Sequence, residues 1–292
     1  MKHLPERLDP AHYPTRFTLP TRFADMDQWQ HLNNSALISL HGEAVQRWLC
    51  DAFGTDAWRP ATDGPVLALQ HNATDFIAES HFPAPLEAGV RLLAHDDQGL
   101  VLATALFQQG HCVGLHEATL TGWQHGRPAG LPAGLRAGLP AAPAAGPARP
   151  AADAGTDHPP TPEAMTWRTT LATRFGDVDA RGHASDVSFA RLAEQLRVDF
   201  LTRQLGAMRD QDATSFTVGR VALRWWQRGG LPQAAWQAGG RVLRVGERSI
   251  SVQGALFDDS GTCHASAESV LVCIDRRSRR STPLPEALRA ML

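Results

Sequence analysis

The sequence predicts an α+β fold built from two tandem copies of one unit, each with a helix lying on an antiparallel sheet. Residues 21–31 read TRFADMDQWQH and residues 173–183 read TRFGDVDARGH, which are identical at six of eleven positions without a gap. Each copy of this motif is followed by one helical pattern and then by four strand-like runs. Self-similarity of this kind indicates a duplicated supersecondary unit.

The helix of each copy is predicted from apolar residues that recur at three- and four-residue spacing. In the first copy these are Leu37, Leu40, Ala44, Trp48 and Leu49, and in the second Val187, Phe189, Leu192, Leu196, Phe200 and Leu201. Asn33/Asn34 and Ser185/Asp186 are good N-cap residues at the two starts. Gly54 and Gly206 are the expected ends.

The strands are predicted from runs of apolar and β-branched residues that turn-forming segments separate. The runs are 66–76, 89–97, 99–110 and 111–123 in the first copy, and 216–226, 236–245, 249–259 and 261–275 in the second. Asp96–Gly99 and Asp258–Gly261 are expected to be hairpin turns. We expect each unit to run strand, helix and then a four-stranded antiparallel meander, because a helix on a curved sheet buries both apolar faces.

The domain organisation follows from the repeat. Residues 1–126 and 163–292 are the expected domains, and residues 127–162, rich in Ala, Gly and Pro, are expected to be a flexible or extended linker.

The composition is globular and nearly neutral, with 43% hydrophobic residues and a formal net charge of −2 at pH 7. This balance argues against a nucleic-acid partner, which usually selects a basic domain. No apolar signal-peptide core and no membrane-length apolar run is present, so we expect a soluble cytoplasmic protein without a membrane partner. The four cysteines are widely spaced and are expected to be free thiols rather than a zinc site.

The pattern Arg-Phe-x-Asp-x-Asp-x-x-x-His-Leu-Asn-Asn, followed by a helix and strands, resembles the hotdog-fold thioesterases of the 4-hydroxybenzoyl-CoA thioesterase type. The resemblance implies a double hotdog, whose two units form a pseudo-dimer. It implies that Asp27 and Asp179 are catalytic carboxylates, acting as nucleophile or general base. It also implies that the backbone N–H at Asn34 or Asp186 polarises the thioester carbonyl.

These roles are chemically consistent, because a helix N-terminus offers unpaired N–H groups to a developing oxyanion. His31 is a further catalytic candidate, as a general base or an orienting group. Asn33, His183 and Asp186 are expected to contact the substrate. Asp25 and Asp177 are expected to be structural.

Arg276 and Arg277 open the RRSRR segment that follows the last strand run. Guanidinium groups suit phosphates, so both residues are candidate contacts for the coenzyme A phosphates.

The two copies differ from the family pattern in different ways. The first carries Trp29 and Gln30 where a small residue and glycine are usual. The second has Ser185-Asp186 in place of Asn-Asn, and it alone has the helical pair Glu194/Arg197, since Gly42 and Val45 stand at the matching positions. An anionic side chain at Asp186 would oppose an oxyanion unless it caps the helix. These differences favour Asp27 as the more active carboxylate.

The expected function is hydrolysis of an acyl-CoA to a carboxylic acid and free coenzyme A, without a metal or a redox cofactor. The acyl carrier could instead be an acyl carrier protein, and double hotdogs could assemble into a homo-oligomer. Two alternatives stay open: a non-catalytic acyl-CoA-binding or sensing protein, and a hotdog hydratase that acts on enoyl thioesters.

Overall fold

The computed structural model describes residues 5–54, 65–131, 133–139, 158–180, 182–206, 213–231 and 235–292. The chain forms two compact units. The first comprises Met1–Asp157 and Gln227–Gly229, and the second His158–Trp226 and Gly230–Leu292. The main boundary therefore falls inside the segment that the sequence predicts as a linker.

The described part of the first unit is a long helix on an antiparallel sheet. Its elements are α1 (Pro5–Leu8), β1 (Thr15–Leu19), α2 (Asn34–Phe53), β2 (Val66–Phe76), β3 (Leu86–His95), β4 (Leu100–Gln108), β5 (His111–Gln124), β6 (Arg127–Pro128) and α3 (Ala133–Gly138). The strand order is β1-β3-β4-β5-β2, and the short β6 also pairs with β5.

The second unit repeats this plan. Its elements are β7 (Trp167–Ala172), α4 (Asp186–Asp199), β8 (Thr214–Trp225), β9 (Ala235–Val245), β10 (Ser249–Phe257), β11 (Cys263–Asp275) and α5 (Glu286–Arg289). The strand order is β7-β9-β10-β11-β8, which is the order of the first unit strand for strand. The predicted duplication and the double hotdog are confirmed.

The predicted four-stranded meander is wrong in both units. The first strand after each helix pairs with the last strand of the unit and not with the next one, as β2 does with β5 and β8 with β11. Only the last three strands form a meander. A strand's apolar pattern shows which of its faces is buried but not which strand lies beside it. In β4, which lies between β3 and β5, all nine residues are buried, so its sequence gives no alternation to read.

The two long helices bury the faces that their periodicity predicts, with two exceptions in the second unit, where Leu192 is only half-buried and Val187 is exposed. In α2 the predicted apolar residues are buried or packed against the core. In the second copy Val187 is instead exposed, because it lies on the first turn of α4, away from the buried face that begins at Phe189. Helix α2 ends at Gly54, whose φ is +90°. Helix α4 continues as a π-helical turn, Phe200–Gln204, before Gly206.

Part of the predicted linker packs on the first unit, so the expectation of a flexible or extended chain is wrong for residues 127–131 and 133–139. Leu131 is buried in the core of the first unit, and Leu135 and Leu139 pack against that core. Leu135 lies in α3, and Leu139 directly follows that helix. Residues 140–157 of the linker lie outside the described residues.

Both predicted hairpin turns are confirmed. The Asp96 N–H donates to the Gly99 carbonyl at 2.9 Å, and the Gly261 N–H donates to the Asp258 carbonyl at 3.0 Å.

Candidate active site

The motif of the first unit folds into a tight turn that Asp27 closes. The carboxylate Oδ1 of Asp27 accepts hydrogen bonds from the backbone N–H groups of Trp29 at 2.8 Å and His31 at 3.2 Å. The Asp27 N–H also donates to the His31 carbonyl at 2.8 Å. Aspartate commonly stabilises turns in this way. The predicted catalytic carboxylate therefore also holds its own loop in shape.

The second unit has the same turn at Asp179. Its Oδ1 accepts the His183 N–H at 3.1 Å, and its N–H donates to the His183 carbonyl at 2.7 Å. The turn requires a left-handed residue, which is Gly182 here, with φ +76°, and Gln30 in the first unit, with φ +67°. Because glycine adopts this conformation without steric cost, the turn of the first unit carries strain that the second avoids.

The first aspartate of each motif fixes the base of the turn, as expected. Asp25 is almost fully buried, forms a two-point pair with the Arg22 guanidinium at 2.7 and 2.9 Å, and accepts the Asn33 N–H on its carbonyl at 2.8 Å. Asp177 accepts the backbone N–H of Arg174 at 2.9 Å.

The turn of the first unit leads directly into the N-terminus of α2. Asn33 is the N-cap, and its Oδ1 accepts the Ser35 N–H and the Ser35 hydroxyl, each at 2.7 Å. Asn34 is the first helical residue, so its N–H is among the first-turn groups that have no partner within the helix. The structure thus places Asp27, His31, Asn33 and Asn34 on one short segment.

In the second unit, the additional carboxylate at the helix start, that of Asp186, is hydrogen-bonded to another side chain of the same unit. Ser185 is the N-cap of α4 and accepts the Ser188 N–H at 3.0 Å. Asp186, the first helical residue, accepts the indole N–H of Trp225 at 2.6 Å. A carboxylate at a helix N-terminus is stabilised by the helix dipole. Asp186 therefore does not cap the helix, since Ser185 does, and its carboxylate stays at the helix start bound to Trp225.

His31 is paired with a carboxylate that the motif does not contain. Its Nε2 lies 3.1 Å from Oε2 of Glu79, in the loop after β2. The next residue, Ser80, accepts the Leu32 N–H on its carbonyl at 2.8 Å. The loop after β2 therefore clamps the motif turn.

A second histidine, His81, completes this clamp. Its ring meets the His31 ring edge to face, with the centroids 5.5 Å apart. Its Nδ1 lies 3.1 Å from the carbonyl oxygen of Gln30. The Gln108 side chain holds the His81 backbone, since Oε1 accepts its N–H and Nε2 donates to its carbonyl, both at 2.8 Å.

Sequence reasoning missed Glu79, His81 and Gln108, which lie about fifty or more residues from the motif. The available signal was weak: polar and ionisable residues immediately after a buried strand. Pairing this loop with the motif requires knowledge of the tertiary fold.

Arg276 and Arg277 are not brought together with the other predicted residues of the second unit. β11 pairs with β8 from Ala265, opposite Trp225, to Asp275, opposite Thr214. Trp225 holds Asp186, whereas Arg276 follows the other end of β11. Ten residues of strand separate these ends by about 33 Å.

Two further histidines are buried between α2 and the sheet. The rings of His41 and His116 stack with centroids 4.8 Å apart. The His41 Nδ1 lies 2.6 Å from the Thr104 hydroxyl, and the His116 Nδ1 lies 2.8 Å from the Thr74 hydroxyl.

This buried pair is kept neutral. Burial, then the nearby His71 and Arg7, lowers the pKa of His116 to about 3. Burial, then the neighbouring His116, holds the pKa of His41 well below its usual value. Neither imidazole is therefore an acid or base at neutral pH.

In the second unit the helix instead carries an ion pair. Arg197 is buried, lies 3.6 Å from Glu194 and 3.4 Å from the Ser269 hydroxyl, and burial lowers its pKa. Glu194 and Arg197, the helical pair that only the second copy has, therefore form an i, i+3 ion pair.

Within the described ranges, no three His, Cys, Asp or Glu side chains are grouped so that they could hold a metal ion. All four cysteines have free thiols; Cys263 and Cys273 are buried, whereas Cys50 and Cys112 are half-buried. Of the helices that the structure describes, none is long and apolar enough to cross a membrane.

Solved structures share the whole two-unit fold. A proposed oleoyl thioesterase from Lactobacillus plantarum matches with a TM-score of 0.66 and 14% identity, over 95% of this chain and 99% of its own. The 12:0-ACP thioesterase from Umbellularia californica matches with a TM-score of 0.65 and 11% identity, over 88% of this chain and 93% of its own. An acyl-ACP thioesterase from Bacteroides thetaiotaomicron matches with a TM-score of 0.61 and 11% identity, over 88% and 97%. At these identities the likeness establishes the fold.

A search among curated proteins finds no match. The sequence profile of the thioesterase-like superfamily, in contrast, matches residues 21–139 and again residues 173–292. Each match begins at the repeated motif and covers the helix and the strands that follow. The chain therefore belongs to the thioesterase-like superfamily.

Proposed function

We propose that the protein is a thioesterase that hydrolyses an acyl-CoA to a carboxylic acid and free coenzyme A, at the motif turn of the first unit. Water attack on a thioester needs a group that activates the water or attacks first, and donors for the developing oxyanion. One short segment carries both, with Asp27 on the turn and the first N–H groups of α2 directly after it. This is the observation that carries the proposal.

His31 supports the same assignment. The Glu79 carboxylate, 3.1 Å from Nε2, orients the His31 ring. We assign His31 to positioning and electrostatic support of the turn, and Asn33 to forming the helix N-terminus against which the thioester carbonyl lies. In the second unit Asp179 and His183 occupy matching places, but Asp186 brings a negative charge to the corresponding helix start.

The test is Asp27→Asn, assayed by free thiol release from a panel of acyl-CoAs. Asparagine keeps an oxygen that can accept the Trp29 and His31 N–H bonds, so the turn is retained while the negative charge is lost. Turnover should fall by roughly 10²–10⁴-fold with little change in acyl-CoA binding.

Asp179→Asn is the matched variant, because it makes the same exchange in the other turn. We expect a much smaller loss of turnover. A larger loss from Asp179→Asn would move the reaction to the second unit, and an Asp27→Asn/Asp179→Asn double variant with wild-type turnover would refute a carboxylate mechanism.

One observation favours a non-catalytic acyl-CoA-binding protein instead. Asp27 and Asp179 both use Oδ1 to hold their own turns, which is a structural role. Calorimetric binding of acyl-CoAs with no thiol release from any of them would establish this second function. The same panel should include an enoyl-CoA, since loss of its conjugated absorbance without thiol release would identify a hydratase.

Four further assignments belong to this proposal. Arg276 and Arg277 are proposed contacts for coenzyme A phosphates, on the chemistry of the guanidinium group. The four free cysteines accord with a reducing, cytoplasmic location. An acyl carrier protein could present the same thioester, and assembly into a homo-oligomer is proposed as well.

A further inference from the structure

His81 lies outside the motif and has no catalytic role so far, yet its imidazole contacts the motif turn at two places. The ring packs edge to face on His31, and Nδ1 lies 3.1 Å from the Gln30 carbonyl oxygen. The side chain of His81 is exposed, whereas the Gln108 side chain that grips its backbone is buried. A solvent-accessible ring is thus held on a rigid support.

The contact with Gln30 determines which nitrogen of His81 can exchange a proton. A carbonyl oxygen only accepts hydrogen bonds, so Nδ1 carries the hydrogen. Nε2 is then the nitrogen that takes up and releases a proton. His31 is less suited to this task, because Glu79 already engages its Nε2 and its side chain is only 18% exposed.

We propose that His81 donates the proton that the leaving sulfur receives during thioester hydrolysis. This inference rests on the proposed function, and it assigns a group that the motif does not contain. The acyl carbon must lie beside Asp27 for attack, and the sulfur is bonded to that carbon, so the sulfur also lies beside the turn that His81 contacts.

The proton balance is complete. As the carbon–sulfur bond breaks, its electron pair goes to sulfur, and Nε2–H of the imidazolium passes its proton to that thiolate. Water supplies the oxygen of the new carbon–oxygen bond and releases one proton, which reloads His81 directly or through Asp27. The products are the carboxylic acid and the free thiol, and His81 ends in its starting state.

The two repeats differ at this point. The sequence has no histidine between His183 and His264, so the second repeat carries no counterpart of His81 in the loop after its first post-helix strand. A histidine in this loop is therefore present in the first repeat and absent from the second, and the first is the unit that the proposed function selects.

The test is His81→Asn in the full-length protein, with two thioesters of the same acyl group. One has coenzyme A as its leaving group, whose alkyl thiolate is basic and benefits from a proton. The other is a thiophenyl ester, whose thiolate is much less basic and leaves without one. Asparagine keeps an N–H near the position of Nδ1, so the contact with the Gln30 carbonyl is retained.

We expect kcat to fall by roughly 10²-fold for the acyl-CoA and by less than about tenfold for the thiophenyl ester. His111→Asn is the matched control, because His111 is also exposed and its Nδ1 also lies 3.1 Å from a backbone carbonyl, that of Gln109 in the β4–β5 turn. This control should leave both rates unchanged.

If kcat of His81→Asn falls equally for both esters, His81 has only a structural role and the inference is wrong. The inference is also wrong if kcat falls for neither ester. In both cases thioester hydrolysis by the wild-type protein would leave the proposed function intact. A wild-type protein that hydrolyses neither ester would overturn the proposed function, and this inference with it.

Discussion

At the scale of single residues, the stacked pair of His41 and His116 makes the stability of the first unit depend on pH. Burial lowers both pKa values below the ordinary value of about 6.5, to about 3 for His116. Below pH 6.5 the unfolded chain therefore binds protons that the folded unit does not. The stability is fully present above about pH 6.5 and is lost progressively as the pH falls toward 3.

We expect the free energy of unfolding to decrease by up to about 1.4 kcal/mol per pH unit for each of these histidines in that window. His116→Gln keeps a hydrogen-bonding partner for Thr74 and removes one titrating group, so its stability should vary less steeply with pH. Urea unfolding between pH 7.5 and 4.5 measures the difference. If the free energy of unfolding varies with pH in the same way for the wild type and for His116→Gln, His116 is not kept neutral in the folded protein.

Substitution by alanine should have opposite effects on stability at two glycines of the first unit. A Cβ at Gly89 would lie 2.6 Å from the Cβ and Cγ atoms of Tyr13, which is itself buried, whereas a Cβ at Gly42 in α2 would meet nothing within 4 Å. Gly89→Ala should destabilise by about 1–3 kcal/mol through overpacking. Gly42→Ala should stabilise by about 0.5–1 kcal/mol through helix propensity. Chemical denaturation of the two variants measures whether each one loses or gains stability. Equal changes in the free energy of unfolding would contradict this explanation.

At the scale of elements, the segment after β6 is part of the first unit and not a simple tether. Leu131 enters the core, and α3 packs against α2. Leu131→Ala should therefore cost about 2–5 kcal/mol, as expected for a buried leucine.

Removing six residues within 140–157 should change stability far less, because the loop-closure free energy varies by only about 0.6 kcal/mol per doubling of length. The melting temperatures of the deletion and of Leu131→Ala provide the comparison. A deletion that lowers the melting temperature as much as Leu131→Ala does would contradict this assignment.

Local elements were predictable because their signals are local. The strand β2 was predicted at its observed bounds, and the helix ends at Gly54 and Gly206 follow from glycine's left-handed conformation. The pairing of β2 with β5 was not predictable, since it depends on contacts between residues far apart in the chain. α3 was missed because an Ala/Gly/Pro-rich composition obscured three leucines at four-residue spacing.

The candidate site was predictable only as far as the motif extends. The helix start at Asn33/Asn34 was predictable from N-cap residue types and helical periodicity, whereas the assignment of Asp27 and Asn34 to the site came from the resemblance to the family. Glu79 and His81 could not, because the fold brings the loop after β2 to the motif and no local pattern records that contact.

At the scale of the whole molecule, the chain carries two copies of one fold whose chemistry has diverged. The first unit has the strained Gln30, the clamp from Glu79 and His81, and a neutral histidine pair under its helix. The second has the unstrained Gly182, a helix start occupied by Asp186, and an ion pair in its helix. Strand order is conserved between the units, whereas the polar groups near the motif are not.

Tandem duplication has a consequence for how such a protein can change. In an assembly of identical subunits, every substitution appears in each copy, so a residue that benefits one turn must be tolerated in all of them. Here Gln30 and Gly182 are encoded by two different codons of the same gene. One half of the gene can accept a conformationally costly residue while the other keeps glycine, and selection can act on each half independently.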